Sequence, residues 1–481
     1  MERRKVLRLF LISSVAIVVA PKLTFGKTPF YTNLDFSSLD FGTDFKWGVA
    51  TAAYQIEGAH NLDGKSASIW DTFSHKKGNI KTGENGDIAC DFYHSYEQDL
   101  DLLKSLNMTV FRFSIAWSRI LPNGVGAPNQ KGIDFYNRVI DACLERGLEP
   151  WLTLYHWDLP QVLQDQGGWM NRESLSWFTE YAELVTKSFG DRVKNWMVFN
   201  EPSAFTALGY LIGYHAPGLK GFGHYLPTVH HVCLCQAEGG RIIRKNVINA
   251  NIGTTYSCSH VDVFKSEKRD GKSAKRWDVL LNRLFIEPAL GMGYPTASFP
   301  ILRKLEKYIL PGDLEKLKFD FDFIGVQNYT REVVKKMGLI LIMKGLEIPP
   351  KKRNVAEITD MGWEVYPEGI YQIIKQFAAY PNVKKIFVTE NGCAFPDELI
   401  DGKVNDVKRI DYYQRYLKQV LRAKQEGVNI GGYFSWTLLD NFEWSEGFKP
   451  RFGLVYVDFK TQKRIVKESG YWFKDFLKKV R

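Results

Sequence analysis

Eight short β-rich runs, separated by longer amphipathic stretches, constrain the fold of this chain more than any other feature of its sequence. Helical patterns such as Gly132–Arg146 and Glu173–Phe189 lie between the runs, and a glycine follows each of these two, as is common where helices end. Regular alternation of strands and helices indicates a parallel sheet, and eight repeats indicate that the sheet closes into an α/β (β/α)8 barrel. The runs are Phe45–Ala52, Thr109–Ile115, Glu149–Leu154, Val193–Phe199, Ile248–Thr255, Phe321–Val326, Lys385–Val388 and Ile430–Ser435.

The length of 481 residues exceeds that of most single domains, but a barrel with long loops reaches this size as one unit. No internal repeat and no low-complexity linker divides the chain. We therefore predict one barrel domain over residues 27–481. Its long βα segments, above all those between the fourth and seventh strands, are expected to form loops on the rim.

Residues 1–26 have the pattern of an export signal. A basic start at Arg3–Lys5 precedes the apolar run Leu9–Ala20, which is too short to span a bilayer. The paired arginines resemble a twin-arginine signal. We predict a signal peptide over 1–26, a periplasmic or secreted mature protein, and no membrane anchor in that mature protein. The alternatives are an uncleaved N-terminal anchor and a wrongly assigned start. If the N-terminus is not a functional signal, the protein is cytoplasmic.

Charge and cysteine content exclude several classes of protein. The formal net charge is +10, and part of it lies within residues 1–26, so the remaining excess is too thin for a nucleic-acid partner. The cysteines show neither zinc-site spacing nor the density of a disulfide scaffold, and we predict that all are reduced packing residues. They are Cys90, Cys143, Cys233, Cys235, Cys258 and Cys393. Neither a metal nor an organic cofactor is predicted.

Polar side chains follow the β-rich runs at the points where a barrel enzyme carries its chemistry. These residues are Gln55, His156, Asn200, Glu201, Gln327, Tyr329, Glu390 and Trp436. Glu201 and Glu390 each end an apolar strand, where a carboxylate is costly unless it is paired or functional. Two carboxyls facing each other across a barrel mouth are what glycosidic cleavage needs. On this pattern alone, ordinary rim ion pairs remain the alternative.

Several motifs carry a family resemblance. The two glutamates lie in Phe-Asn-Glu-Pro at Phe199–Pro202 and in Val-Thr-Glu-Asn-Gly at Val388–Gly392. Other matching stretches are Phe45–Gly58, Phe111–Arg119, Tyr155–Pro160, Tyr433–Trp444 and Arg451–Asp458. In this order and at this spacing, the sequence resembles glycoside hydrolase family 1, the β-glucosidase family, over essentially all of residues 40–480.

The resemblance implies roles for the residues around the two carboxyls. Glu201 would be the general acid/base and Glu390 the nucleophile of a retaining enzyme that forms a covalent glycosyl-enzyme. Carboxyls about 5–5.5 Å apart are expected for that mechanism. Arg112 and Tyr329 match the partners of the nucleophile, and Asn200 matches the residue that binds the sugar 2-hydroxyl.

The same resemblance implies a binding site for the sugar ring that is cleaved off, the glycone. Gln55, His156, Glu443 and Trp444 match residues that hydrogen-bond its outer hydroxyls, and Trp436 matches the stacking platform. Phospho-β-glycosidases of the family carry serine in place of Glu443 and tyrosine in place of Phe452, so unphosphorylated sugars are expected.

This chain departs from the family pattern after the sixth strand. The common Asn-Tyr-Tyr is here Gln327-Asn-Tyr329, with a glutamine one methylene longer than asparagine. Gln327 keeps both a donor and an acceptor, so activity is expected, with an altered subsite geometry. On the aglycone side, Trp363 and Phe205 are candidates for aromatic walls, with ordinary packing as the alternative.

The sequence therefore predicts a retaining β-glycosidase, with β-glucosidase as the main activity and a β-glycoside or oligosaccharide as substrate. β-Galactosidase, β-fucosidase and transglycosidase activities share all the residues named above. A non-catalytic glycan-binding barrel and an S-glycosidase are opposed by the retained pair of glutamates. Aglycone preference, chain length and oligomeric state are left open.

Overall fold

Eight parallel strands form a closed barrel in the computed structural model, which describes residues 34–338 and 343–478. Each strand pairs with its two neighbours in chain order, and the last strand pairs with the first. The strands are β1 Lys46–Ala50, β2 Val110–Ser114, β3 Glu149–Tyr155, β4 Asn195–Asn200, β5 Asn251–Ser257, β6 Phe323–Gln327, β7 Ile386–Asn391 and β8 Ile430–Trp436. The predicted (β/α)8 barrel is confirmed.

One long helix follows each strand and packs on the outside of the barrel. The helices are α1 Phe92–Ser105, α2 Gln130–Glu145, α3 Ser174–Phe189, α4 Phe222–Asn246, α5 Glu267–Asp278, α6 Glu368–Ala378, α7 Val407–Gln425 and α8 Glu468–Phe476. The pattern of α2 explains its position, because Ile133, Tyr136 and Ile140 recur at helical spacing and are all buried. The strands are covered on both faces, so β4 is buried along its whole length.

Shorter elements lie in the connections. The short helices are Ser38–Phe41, Ala53–Ile56, Ile69–Ser74, Trp117–Ile120, Gln161–Gln164, Gly168–Met170, Pro202–Thr206, Ala207–Ile212, Val279–Arg283, Ile286–Ala289, Pro300–Tyr308, Asp313–Lys316, Pro350–Lys352 and Trp444–Glu446. Two short hairpins pair Leu399–Ile400 with Lys403–Val404 and Val455–Val457 with Arg464–Val466.

Two sequence-based expectations need correction. The segments after β5 and β6 are not only loops, because His260–Val263, Arg331–Lys336 and Gly345–Glu347 form a separate three-stranded sheet. The fifth strand begins at Asn251 rather than at residue 248. Asn249 adopts a left-handed φ of 57°, which turns the chain there and leaves the preceding isoleucine 79% exposed.

Aromatic side chains fill the barrel interior beneath the carboxyl ends of the strands. Trp151 of β3 is fully buried and contacts the rings of Phe323, Phe387 and Phe434 at centroid distances of 5.4, 4.8 and 5.0 Å. These three rings come from β6, β7 and β8, so the four strands meet through the barrel axis. This packing supports the residues that emerge at the carboxyl ends of the strands.

The predicted signal peptide over residues 1–26 lies outside the described residues. Within the described ranges, no helix is both long and apolar enough to cross a membrane. All six cysteines are buried and none forms a disulfide, as predicted. The C-terminal helix α8 packs through Trp472 and Phe473.

A buried network of charges ties the ends of β7 and β8 to the C-terminal helix. The Lys467 Nζ, at the start of α8, donates to Asp397 at 2.5 Å and to Asp440 at 2.6 Å. Arg409 of α7 pairs with Asp397 and Asp406, both at 2.8 Å. Because the members are almost fully buried, each charge depends on its partners for stabilisation.

We expect Lys467→Met to lower the free energy of unfolding by about 3–5 kcal/mol, because it leaves two buried carboxylates without their shared cation. Urea unfolding followed by fluorescence measures this loss. Lys463→Met is the matched control: that side chain is exposed, and its replacement should cost less than about 0.5 kcal/mol. Equal losses for the two variants would contradict a stabilising role for the network.

Candidate active site

Glu390, at the carboxyl end of β7, receives hydrogen bonds on both carboxyl oxygens. Its Oε1 accepts from Arg112 Nη1 at 2.5 Å and from Gln327 Nε2 at 2.9 Å. Its Oε2 accepts from the Tyr329 hydroxyl at 2.7 Å. These three donors come from β2 and from the end of β6, so two other parts of the barrel fix the orientation of one carboxylate.

Glu201 follows β4 directly and has a different environment. Its backbone N–H donates to the carbonyl of Thr255 on β5 at 2.9 Å, and Pro202 begins a short helix immediately after it. The residue adopts a left-handed φ of 50°, which is uncommon for a side chain other than glycine and is often found at functional sites. Its side chain is buried, and its carboxyl is near enough to Glu390 for that negative charge to raise its pKa.

The surroundings separate the two carboxyls in acidity. Burial raises the pKa of Glu201 well above its usual range, and the negative charge of Glu390 raises it further. Burial also raises the pKa of Glu390, but the charge of Arg112 and the hydrogen bond from Tyr329 act in the opposite direction. When the pair holds one proton, that proton therefore resides on Glu201. Glu390 carries the negative charge.

Asn200 connects Glu390 to the neighbouring wall of the site. Its Oδ1 accepts from Arg112 Nη2 at 2.6 Å and from Gln327 Nε2 at 2.8 Å. Its Nδ2 lies 2.9 Å from His156 Nε2. Burial lowers the pKa of His156 well below its usual range, so the ring is neutral, accepts from Asn200 through Nε2 and carries its proton on Nδ1.

Three residues predicted to bind sugar hydroxyls present buried polar atoms that have no hydrogen-bond partner among the described residues. The atoms are Gln55 Oε1, His156 Nδ1 and Glu443 Oε2. Gln55 is held by its other end, since Nε2 donates to the carbonyl of Phe442 at 2.9 Å. Unpaired buried polar atoms are costly, and a polyhydroxylated ligand would satisfy all three.

Aromatic rings form the wall beside these atoms. Trp444 contacts Trp157 and Trp70 at centroid distances of 4.6 and 4.5 Å, and the ring of His156 lies 6.0 Å away. Trp436, at the end of β8, lies 6.1 Å from His156. A pyranose has apolar C–H faces and hydroxyl groups at its edge, so a flat aromatic wall beside hydrogen-bonding groups suits it.

The residues predicted for the aglycone side separate in the structure. Trp363 is partly exposed and packs on Tyr329 at 5.3 Å, near Phe452 at 6.2 Å. Phe205 is only 4% exposed and packs on Tyr155 at 5.1 Å, within an aromatic cluster around β3 and β4. Phe205 is therefore a packing residue, and Trp363 alone is retained as a candidate wall.

Sequence reasoning missed three residues that hold the site together. Thr255 Oγ1 donates to Asn200 Oδ1 at 3.1 Å, and Arg112 Nε lies 2.9 Å from the sulfur of Met197. The indole of Trp157 donates to the backbone carbonyl of Asn200 at 2.9 Å. Thr255 and Met197 lie on strands. A polar or sulfur-containing side chain at an inward-facing strand position is the sequence signal that could have identified them. Among the residues that the structure describes, no group of three or more His, Cys, Asp or Glu side chains could hold a metal ion.

Comparison with known proteins places this arrangement in a family. The chain is 43% identical to a 1,4-beta-D-glucan glucohydrolase of Thermotoga neapolitana over 440 residues, which cover 91% of this chain and 98% of the relative. It is 43% identical to Beta-glucosidase A of Thermotoga maritima over 445 residues, covering 91% and 98%.

The structure resembles that of a beta-glucosidase from Thermotoga maritima in complex with glucoimidazole. The TM-score is 0.86 at 42% identity, and the match covers 90% of this chain and 98% of the other. The model of glycosyl hydrolase family 1 matches residues 37–481. The chain therefore belongs to glycosyl hydrolase family 1.

Proposed function

We propose that this protein is a retaining β-glucosidase that removes terminal, non-reducing β-D-glucosyl residues through a covalent glycosyl-enzyme. One observation carries the proposal: of two buried carboxyls at the ends of β4 and β7, that of Glu390 accepts three hydrogen bonds, one of them from the Arg112 guanidinium, which favours its charged form and leaves the proton to Glu201. A retaining glycosidase needs this division between an acid and a nucleophile. The relatives, a beta-glucosidase and a 1,4-beta-D-glucan glucohydrolase, support glucose as the glycone.

In the first step, a Glu390 oxygen attacks the anomeric carbon while the bond from that carbon to the aglycone oxygen breaks. Glu201 gives its proton to the departing oxygen, so the aglycone leaves as a neutral alcohol. Arg112 and Tyr329 hold the attacking carboxylate in one orientation. This mechanism requires the two carboxyls to lie about 5–5.5 Å apart, and that separation is part of the proposal.

In the second step, water displaces Glu390 from the anomeric carbon. Esterification has removed the negative charge that raised the pKa of Glu201. The pKa of Glu201 therefore falls, and the side chain rests as the carboxylate. It accepts a proton from the water as the water attacks. Two inversions at one carbon return the sugar with its original β configuration, and Glu390 leaves again as a carboxylate.

The other residues of the pocket are assigned to glycone binding. Gln55, His156 and Glu443 supply unpaired polar atoms for the outer hydroxyls. Trp444, in the aromatic wall, is assigned to the same hydroxyls, and Trp436 supplies the stacking face. Asn200, beside the acid/base, is assigned to the 2-hydroxyl. Phe452 replaces the tyrosine of the phospho-β-glycosidases, which favours sugars without a phosphate.

A panel of aryl β-glycosides and cello-oligosaccharides tests the proposal on the purified protein. Faster turnover of the glucoside than of the galactoside and fucoside supports it. A preference for either of the others would reassign the glycone, and glycosyl transfer faster than hydrolysis would make the protein a transglycosidase. A correctly folded protein that cleaves none of these substrates would be a glycan-binding barrel.

Glu443→Ala should lower kcat/KM for an aryl β-glucoside by about 10- to 100-fold, because it removes hydrogen bonds from a buried acidic side chain. Burial raises the pKa of Glu443 to about 8, so at neutral pH this side chain both donates and accepts. Initial rates over a range of substrate concentrations measure the loss. Glu398→Ala, on an exposed loop, is the control. An equally small effect of the two substitutions would show that Glu443 does not bind the sugar.

We also propose that residues 1–26 direct export and that residues 27–481 form the mature catalytic domain. The basic start and the apolar run of the sequence support this. Cell fractionation with N-terminal sequencing tests it: mature protein outside the cytoplasm, beginning near residue 27, is expected. Replacing Arg3 and Arg4 by lysine should block export if the twin-arginine route is used. Uncleaved protein in the cytoplasm would overturn the proposal.

A further inference from the structure

Gln327 ends β6 at the centre of the site and is fully buried. Its backbone pairs in register with Glu390 of β7 on one side and with Ser257 of β5 on the other. The side chain therefore emerges between the strand that carries Glu390 and the strand that contacts Glu201. A glutamine stands here where the family pattern has asparagine.

The amide nitrogen of Gln327 is surrounded by oxygen acceptors. Nε2 lies 2.9 Å from Glu390 Oε1, 2.8 Å from Asn200 Oδ1 and 3.1 Å from Thr255 Oγ1. Asn200 Oδ1 also accepts from Arg112, which identifies it as the oxygen of that amide. The NH₂ group of Gln327 is thus oriented by its neighbours, and it can donate one hydrogen to Glu390 and the other to Asn200.

The length of the side chain decides this contact. Asparagine at the same backbone position is shorter by one C–C bond, about 1.5 Å. Its amide nitrogen would fall beyond hydrogen-bond distance of Glu390 Oε1 unless the strand moved. The remaining Gln327 Oε1 is buried and has no partner within the described ranges, so the contacts of the side chain run through its nitrogen.

We infer that Gln327 is a third hydrogen-bond donor to the catalytic nucleophile, acting with Arg112 and Tyr329, and that it couples this carboxylate to the sugar-binding amide of Asn200. The inference rests on the proposed function, because it takes Glu390 as the nucleophile. Gln327 touches the reacting carboxylate itself and is in this sense a catalytic residue. The altered subsite geometry expected from the sequence thus includes a role in setting the charge of Glu390.

Two consequences follow from the chemistry of the carboxylate. A donor stabilises the charged form, so removing it raises the pKa of Glu390 and moves the acid limb of kcat/KM to higher pH. In the second step Glu390 is the leaving group, and a less stabilised carboxylate leaves more slowly. The kcat for a substrate with a good leaving group, which is limited by that step, should fall by about 10- to 100-fold.

The test compares Gln327→Leu and Gln327→Asn with Gln236→Leu. Gln236 is a buried glutamine on α4 that bonds Thr254, outside the site, and it controls for the loss of a buried amide. ¹³C NMR titration of the Glu390 carboxyl, assigned with Glu390→Gln, gives its pKa without any need for turnover. The pH profile and burst kinetics with 2,4-dinitrophenyl β-glucoside give the catalytic effect.

Both Gln327 variants should raise the pKa of Glu390 and shift the acid limb in the same direction, while Gln236→Leu shifts neither. An unchanged pKa of Glu390 in Gln327→Asn, the variant least disruptive to folding, would overturn the inference. If the pKa moves as expected but the wild-type protein cleaves no glycoside, the donor contact stands and the proposed function fails. The two failures are therefore distinguishable.

Discussion

Glu390→Gly is expected to lower hydrolysis of aryl β-glucosides by at least about 10⁴-fold, because it removes the carboxylate that Arg112 and Tyr329 orient to form the covalent intermediate. The smaller side chain leaves space beside the anomeric carbon. Azide or formate should enter this space and restore release of the phenol. Since azide attacks from the side that Glu390 occupied, with a single inversion, the product should be the α-glucosyl azide, identified by NMR.

Glu390→Gln is the matched variant for this experiment. Its amide fills the space of the carboxyl, so it should be as inactive as Glu390→Gly but should not respond to azide. Near-UV circular dichroism checks that both variants fold. A β-configured azide product, or rescue of the glutamine variant, would show that Glu390 is not the nucleophile.

The barrel was predictable because its pattern is local. Each run such as Glu149–Leu154 is apolar over a strand length, and each following stretch such as Gly132–Arg146 has helical periodicity. Closure then places the carboxyl ends of all strands at one face. For this reason a residue such as Glu201, directly after a β-rich run, could be assigned to the mouth of the barrel without knowledge of its contacts.

The contacts themselves were not predictable, because they join residues far apart in the chain. The three-stranded sheet formed around Arg331–Lys336 depends on pairing with His260–Val263, some seventy residues earlier. Phe205 is an apolar residue just after β4, where the sequence is compatible with either a pocket wall or a core position. Only its packing against Tyr155 shows that it belongs to the core. The bonds of Thr255 and Met197 to the site depend on which face of a strand points inward, and one register step reverses that.

The difference between two chemically identical side chains is also a property of the assembled site. Glu201 and Glu390 are both buried, and burial alone would keep both protonated. Arg112, within β2, forms its ion pair with Glu390, and this direct contact breaks the symmetry between the two carboxyls. The motifs around the two glutamates imply the same assignment, but the physical cause lies on a third strand.

This asymmetry predicts a second large effect. Glu201→Ala should lower kcat/KM for cellobiose by about 10²–10⁴-fold, because the departing sugar oxygen needs a proton. For 2,4-dinitrophenyl β-glucoside, whose phenolate leaves unprotonated, kcat/KM should change by less than about tenfold. The fall of wild-type kcat/KM at alkaline pH, as Glu201 loses its proton through its raised pKa, should be absent in the variant.

The two variants together assign both roles by stereochemistry. In Glu201→Ala the glycosyl-enzyme still forms but lacks a base for water, so it accumulates and kcat falls even for the activated substrate. Azide needs no base, attacks the intermediate and should give the β-glucosyl azide after two inversions. Glu201→Gln, which keeps the size of the side chain, separates loss of the proton from loss of packing. An α-azide from a Glu201 variant, or equal losses on cellobiose and the dinitrophenyl glucoside, would exchange the roles of the two carboxyls.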